Sequence, residues 1–251
     1  MAETYQPNND VFFKSSYKEV WKQLIPPGLT EAESYFIADV SHLQTGGSIV
    51  DIMCGYGRHA LSLAGNGYKV TAIDSLPEYI DELKSTAEHE SLDIIAHVGD
   101  ITTVSLDSGF DAAICMGNCF SVLNKIQAKN VLSKLFHSLN PGGTFIINSW
   151  MIGEIAIKHF EARSWLYVGE YKYLLENRYL LNPSRIETDH ILIKETGETE
   201  ILKAVDYILT FSELSDLLEE AGFRTEEVFS TPRKKKYQFG DKQAYIVARK
   251  K

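Results

Sequence analysis

Cysteine is scarce in this chain: Cys54, Cys115 and Cys119 are the only three in 251 residues. They form no paired C-x-x-C arrangement, so neither a disulfide framework nor a structural zinc site is indicated, and they read as reduced packing residues. Long apolar runs are missing too, none approaching the roughly 20 residues that span a bilayer. The start, Met1-Ala-Glu-Thr-Tyr-Gln-Pro7, lacks the basic and apolar pattern of a secretory signal. A soluble, cytoplasmic chain with no membrane partner is expected. Basic charge is in deficit, with 25 Lys and Arg against 34 Asp and Glu and a net charge of -9. That balance repels a phosphate backbone, which argues against a nucleic-acid partner and for a small-molecule one. The one dense basic run, Arg233-Lys-Lys-Lys236, reads as a solvated loop; as a ligand site it would suit a carboxylate or phosphate. Internal repeats and low-complexity tracts are absent.

What is present is enough apolar content, 44%, to bury a substantial core in one domain with an insertion. Phe12 to Leu24 reads as a helix, and Thr30-Glu-Ala-Glu33 as a capping box for a helix running towards His42. From Ser48 the rhythm becomes strand, helix, strand. Strands are expected at Val50 to Met53, Tyr68 to Asp74, Asp93 to Val98, Phe110 to Met116 and Gly143 to Ser149. Helices fall between them at Arg58 to Ala64, from a second capping box at Ser75-Leu-Pro-Glu78 through Ala87, and at Ile126 to Leu139. Such alternation requires crossovers and therefore a parallel sheet covered on both faces. Thr210-Phe-Ser-Glu213 caps a last helix ending at Gly222; Arg224 to Phe229 and Gln243 to Arg249 follow with no helix between, so they should pair antiparallel. Between Trp150 and Thr210 four consecutive strands are expected, at Trp165 to Val168, Tyr173 to Leu181, Arg185 to Lys194 and Glu200 to Ile208. The division is thus a core of residues 1-150 and 208-251 with a β-rich insertion at 151-207, serving as a lid, a homodimer surface or both.

The stretch Ser48-Ile-Val-Asp51-Ile-Met-Cys54-Gly55-Tyr56-Gly57-Arg58-His59 carries the chemistry. An apolar strand ends in a carboxylate and breaks at glycines into a helix whose first N–H groups lack partners. Gly55-x-Gly57-x-x-Ala60 fits the dinucleotide fingerprint. Asp51 weighs against a nicotinamide cofactor, because two like charges about 4 Å apart repel by roughly 4 kcal/mol at an effective dielectric near 20. Facing a ligand it suits a cation, such as the ammonium of S-adenosyl-L-methionine (SAM); otherwise it caps the turn.

On these residues, with Asp74, Gly99-Asp100, Phe110-Asp111, Asn140-Pro-Gly-Gly143 and Ala221-Gly-Phe223, the chain resembles the class I SAM-dependent methyltransferases from about Ser48 to Lys250. The resemblance implies an α/β, Rossmann-like seven-stranded mostly parallel sheet with helices on both faces, its last strand antiparallel, plus a small antiparallel β insertion. It points to the small-molecule branch in which a β insertion precedes the final helix, and within that branch to N-methylation over O- or C-methylation. Met53 departs from the family, where many relatives carry glycine. SAM is the implied cofactor, held by Asp51, Cys54, Gly55, Gly57, Arg58, Asp74, Ser75, Asp100, Ile101 and Met116. Asp74 lies 17 residues beyond Gly57, near the rough distance of 20 at which an acid meets a ribose diol; a helix-capping acid is the competing reading. Asp100 with Ile101 would take the adenine edge, unless it is a surface turn. Arg58, a cation at a helix start, needs an anion such as the methionyl carboxylate, or solvent. Met116 ends the fourth strand near the sulfonium, unless it packs in the core.

Transfer from SAM needs alignment, an available lone pair and exclusion of water. His59 is the candidate base, against a role in orienting the cofactor. Tyr17, Trp21, Asn118, Phe120 and Trp150 are the candidate acceptor pocket, against core packing for the helical aromatics. No metal is expected. The alternatives are an NAD(P)-dependent oxidoreductase and a SAM- or S-adenosylhomocysteine-binding protein without turnover.

Overall fold

A computed structural model describes residue 13 and residues 16–251; the expected helix start at Phe12, and everything before it, lies outside the described residues. The central strand β1 (Ser48–Ile52) is buried along almost its whole length, as a strand covered on both faces must be. It pairs in parallel with β2 (Lys69–Asp74) on one side and β4 (Phe110–Cys115) on the other. Parallel pairing continues outwards to β3 (Ile94–Val98) and β5 (Leu139–Ser149). Beyond β5, β11 (Ala244–Lys250) runs antiparallel both to β5 and to β10 (Phe223–Phe229), because only a hairpin-like loop joins the last two strands. The seven strands lie in the order β3-β2-β1-β4-β5-β11-β10. This is the doubly wound, mostly parallel sheet with one inverted strand that the sequence rhythm implies.

Two apolar layers cover it. On one face α2 (Leu29–Val40), α3 (Arg58–Gly65) and α4 (Pro77–His89) bury Phe36, Ile37, Leu63, Ile80 and Leu83. On the other α5 (Lys125–Ser138) and α7 (Phe211–Glu220) bury Leu132, Leu135, Leu214 and Leu218 against Phe145 and Phe223. The capping box expected at Thr210 and Glu213 is formed, and Asn124 with Gln127 makes a second at the start of α5. Those expected at Thr30 and Ser75 are not. Gly28, in the left-handed region, caps α2 and leaves Thr30 inside its first turn, while α4 starts at Pro77 after Leu76, whose N–H is held by Asp74. At α2 the acid at the matching spacing, Glu33, turns to Arg58 and His59 instead of its own helix start.

After the short helix α6 (Gly153–Ala156) the insertion folds as a separate antiparallel sheet, β6 (Arg163–Val168), β7 (Tyr171–Leu181), β8 (Ser184–Lys194) and β9 (Thr199–Tyr207), paired in chain order. Its inner face buries Tyr173, Leu192 and Leu202 with Val20 of α1 (Tyr17–Leu24), while Trp165, Tyr167 and Ile201 stay exposed on the other. Helix α1 is the bridge between insertion and core. Lys18 and Lys22 both reach Glu82 on α4, Lys22 lies over the Tyr56 ring, and Tyr17 meets His190 of β8 edge-on. The helix is thereby laid across the turn that follows β1.

Candidate active site

Asp51 leaves β1 at the C-terminal edge of the sheet, 1% exposed, and its Oδ2 has no hydrogen-bond donor. Burial pushes its pKa up to about 8; Arg58 opposes the shift and Asp74 adds to it. The chain then turns through left-handed backbone at Met53 (φ 53°), Gly55 and Gly57, which explains why glycine suits position 53 and what Met53 strains against. At Gly57 a Cβ would stand 2.5 Å from Leu83 Cδ1, so α3 and α4 approach through the missing side chain. At Gly55 the nearest atom to a Cβ would be the Tyr79 ring at 3.9 Å, leaving the main chain approachable by a ligand. Asp74, 9% exposed, clamps this turn: Oδ2 accepts the Gly55 N–H at 2.8 Å and Oδ1 the Leu76 N–H at 3.0 Å. The unpartnered Oδ2 of the buried Asp51 carboxyl group, beside an open backbone turn, fits the ammonium of SAM, against which the ionised form would be stabilised.

Arg58 and His59 have other partners than the expected ones. Arg58 Nη1 donates to Glu33 Oε2 at 2.7 Å and to Thr30 Oγ1 at 2.9 Å, so a protein carboxylate supplies a compensating anion. His59 Nε2 lies 2.9 Å from the same Glu33 oxygen, and Tyr245 donates to Oε1 at 2.8 Å. Glu33 is 1% exposed. Burial alone would raise its pKa, but His59, Arg58 and Tyr245 together hold it at about 2. Burial lowers the pKa of His59, partly offset by Glu33. The imidazole is therefore neutral, and because a carboxylate only accepts, its proton sits on Nε2. Turned inward in this way it is placed as a strut between α2, α3 and β11 and not as a base at an acceptor. The Thr30-x-x-Glu33 spacing that reads as a capping box marks instead the buried anion that an adjacent Arg–His pair requires.

At the adenine side, Asp100 is exposed and its Oδ1 takes both the N–H and the hydroxyl of Thr102 at 2.8 Å, closing a local turn. Ile101 and Met116 are 3% and 4% exposed and pack in opposite core layers, so their side chains are committed to the interior. Ser75 is exposed; Cys54 is half-buried with its thiol directed at the Gly55 carbonyl and its pKa raised by burial.

On the acceptor side the structure brings together Tyr17, Trp21 and Trp150: the first two rings stack 6.2 Å apart and the last two lie 5.8 Å apart. Phe120 does not join them, being buried against Phe145. Asn118 is a joint between elements, with Nδ2 donating to Ser121 and to Asp206 and Oδ1 accepting from Ser149, Trp150 and Met151. Its amide is thus fully engaged. Asp206 of β9 is the acidic residue that sequence reading missed; burial raises its pKa to about 6 against the pull of Ser121 and Asn118. Nothing in an isolated strand sequence signals where its inner face lands. Three cations of the basic run are paired within the fold: Lys234, Lys235 and Lys236 pair with Asp39, Asp241 and Glu227. A cavity of about 310 Å³ next to it is lined by Trp150, Ser230, Lys235, Asp241 and Gln243. Among the described residues no cluster of His, Cys, Asp or Glu could hold a metal ion, and no helix is long and apolar enough to cross a membrane.

Residues 49–143 match a family described as a methyltransferase domain. The chain is 25% identical over 193 residues, 74% of each sequence, to a dTDP-4-amino-2,3,4,6-tetradeoxy-D-glucose N,N-dimethyltransferase of Saccharopolyspora spinosa. Its fold is shared with the CcbJ methyltransferase of Streptomyces caelestis, at a TM-score of 0.81, 16% identity, and coverage of 91% of this chain and 92% of that one. It is shared also with SAM-bound CalS10, an amino pentose methyltransferase of Micromonospora echinaspora, at a TM-score of 0.72, 15% identity, and coverage of 94% and 97%.

Proposed function

We infer that this chain, a class I SAM-dependent methyltransferase, methylates an amine nitrogen on a small polar acceptor of the amino-sugar kind. The observation that carries the cofactor half of the reading is the orphaned Oδ2 of Asp51, a buried carboxylate that lacks only a cation. Asp51 would hold the ammonium, Gly55 and Gly57 would admit the cofactor to the main chain, and Asp74 would accept its ribose hydroxyls while keeping the turn in place. When bound, SAM supplies an activated methyl carbon for in-line displacement. The chain's own contribution is alignment and dryness: Tyr17, Trp21 and Trp150 form an aromatic wall over the strand ends, and α1 is tied across them by Glu82. Proximity and orientation of this kind are worth several kcal/mol, about 7–11 in the best cases.

The nitrogen preference is supported by the similarity over most of both chains to an N,N-dimethyltransferase and by the β insertion. It is tested by incubating the protein with SAM and a panel of amines, phenols and hydroxy acids and reading products heavier by one methyl group. Methylated amines are expected; methylation confined to oxygen acceptors would overturn the nitrogen reading. Calorimetry with SAM, S-adenosylhomocysteine and NADH tests the cofactor independently, and NADH binding in place of SAM would overturn it.

A further inference from the structure

β9 carries Asp206 from the insertion to the turn that follows β4, the edge at which ligands gather in open α/β sheets. There Asn118 Nδ2, at 3.1 Å, and the Ser121 hydroxyl fix one carboxylate oxygen, Oδ1. Among the described residues Oδ2 has no donor, and no Lys, Arg or His pairs with the group. The tie is specific, since Asn118 is itself locked by Ser149 and by the backbone of Trp150 and Met151. The carboxylate is therefore held rigidly beside the first residues of the aromatic wall with one face free. A half-buried anion without a cation is costly unless a ligand provides one.

Resting on the amine reading above, we propose that Asp206 is the acceptor-side catalytic carboxylate, binding the ammonium of the incoming amine and taking its proton. The acceptor arrives as R–NH3+ and passes one N–H proton to Oδ2, leaving R–NH2 and a carboxyl. The nitrogen lone pair then forms the N–C bond while the C–S bond breaks with its electron pair remaining on sulfur. The carboxyl proton leaves to water as the methylated ammonium departs. The insertion is then part of the active site and not merely a cover over it.

The groups that face Asp206 leave it as the one that changes charge near neutrality. From α1 it faces Tyr17 and from the turn after β4 it faces Cys119, both with pKa values raised chiefly by burial, that of Cys119 to about 12. Across the insertion sheet its register neighbours are Ile186 and, beyond it, Tyr179, whose hydroxyl is engaged by Ser184. A proton acceptor poised at such a pKa contributes typically 10²–10⁴-fold in rate.

The test uses the full chain and Asp206→Asn, which keeps an acceptor oxygen for Asn118 and Ser121 and removes only the charge. With whichever amine of the panel the wild type methylates, starting from dTDP-4-amino-2,3,4,6-tetradeoxy-D-glucose, the variant should lose about 10²-fold or more in kcat/KM. Its pH profile should also lose the acidic limb near pH 6, while SAM affinity stays within about twofold. Retained kcat/KM with the limb intact overturns the assignment, as does methylation of oxygen acceptors alone. A failure of SAM to bind the wild type would instead overturn the functional reading. Carboxyl 13C NMR of the acceptor-free protein decides the matter without turnover: a titration step near pH 6 that Asp206→Asn lacks supports it, and an Asp206 step at the ordinary value near 4 overturns it.

Discussion

Glu33→Gln isolates the buried anion that joins three elements. Gln keeps the volume and an oxygen for the Tyr245 hydroxyl, but Arg58, only 12% exposed along its side chain, loses its counter-charge and His59 its carboxylate. Removing one partner of a buried charged pair costs about 3–5 kcal/mol, and the partial exposure of Arg58 puts the loss near the lower end, about 3. For a chain of this size each kcal/mol moves Tm by about 2–4 °C, so a fall of roughly 9 °C is expected. The pH dependence has a definite sign. The Glu33 pKa is lowered from 4.5 unfolded to about 2 folded, so its contribution is fully present above 4.5 and is lost as pH falls towards 2. Scanning calorimetry of both proteins should find the gap constant from about pH 5 to 8 and closing at about pH 3. A gap under about 2 °C at neutral pH, or one that widens on acidification, would refute the reasoning.

His59→Gln, which can still donate to Glu33, should lower stability by about 1–2 kcal/mol in chemical denaturation while leaving kcat at neutral pH within about threefold; a loss of 10²-fold would restore the histidine to the chemistry. Gly57→Ala places a Cβ 2.5 Å from Leu83 Cδ1 in backbone of φ 82°, and should destabilise by about 2–4 kcal/mol and weaken SAM binding. A stability unchanged in urea titration would contradict the packing described there.

The strand order was legible because β1 and β4 are apolar over most of their length and helices make most of the crossovers between parallel strands, a pattern that allows few topologies. The turn after β1 was legible for a different reason: Asp51, Gly55 and Gly57 are adjacent in the chain, so their geometry is local. What sequence does not show is long-range: it reveals Arg58 and His59 but not that Glu33, 25 residues from Arg58, comes back to hydrogen-bond both. Asn118 and Phe120 follow the right strand, yet one is consumed in joining elements and the other faces the core, a choice made by backbone direction after a residue at φ 69°. Asp206 was invisible because an inner-face residue of an inserted sheet acquires meaning only when that sheet docks.

The central claim is that Asp51 waits for a cation, and calorimetry of SAM binding in buffers of different ionisation enthalpy tests it most directly. Ligand-free Asp51 holds its carboxyl proton below about pH 8, so an ammonium seated against it must expel that proton. Protons should be released as SAM binds at pH 7, with affinity rising as the pH goes from 6 to 7. Asp51→Asn should bind about 30-fold or more weakly and release none. Wild-type binding without proton release, or equal affinity in the variant, would contradict the account.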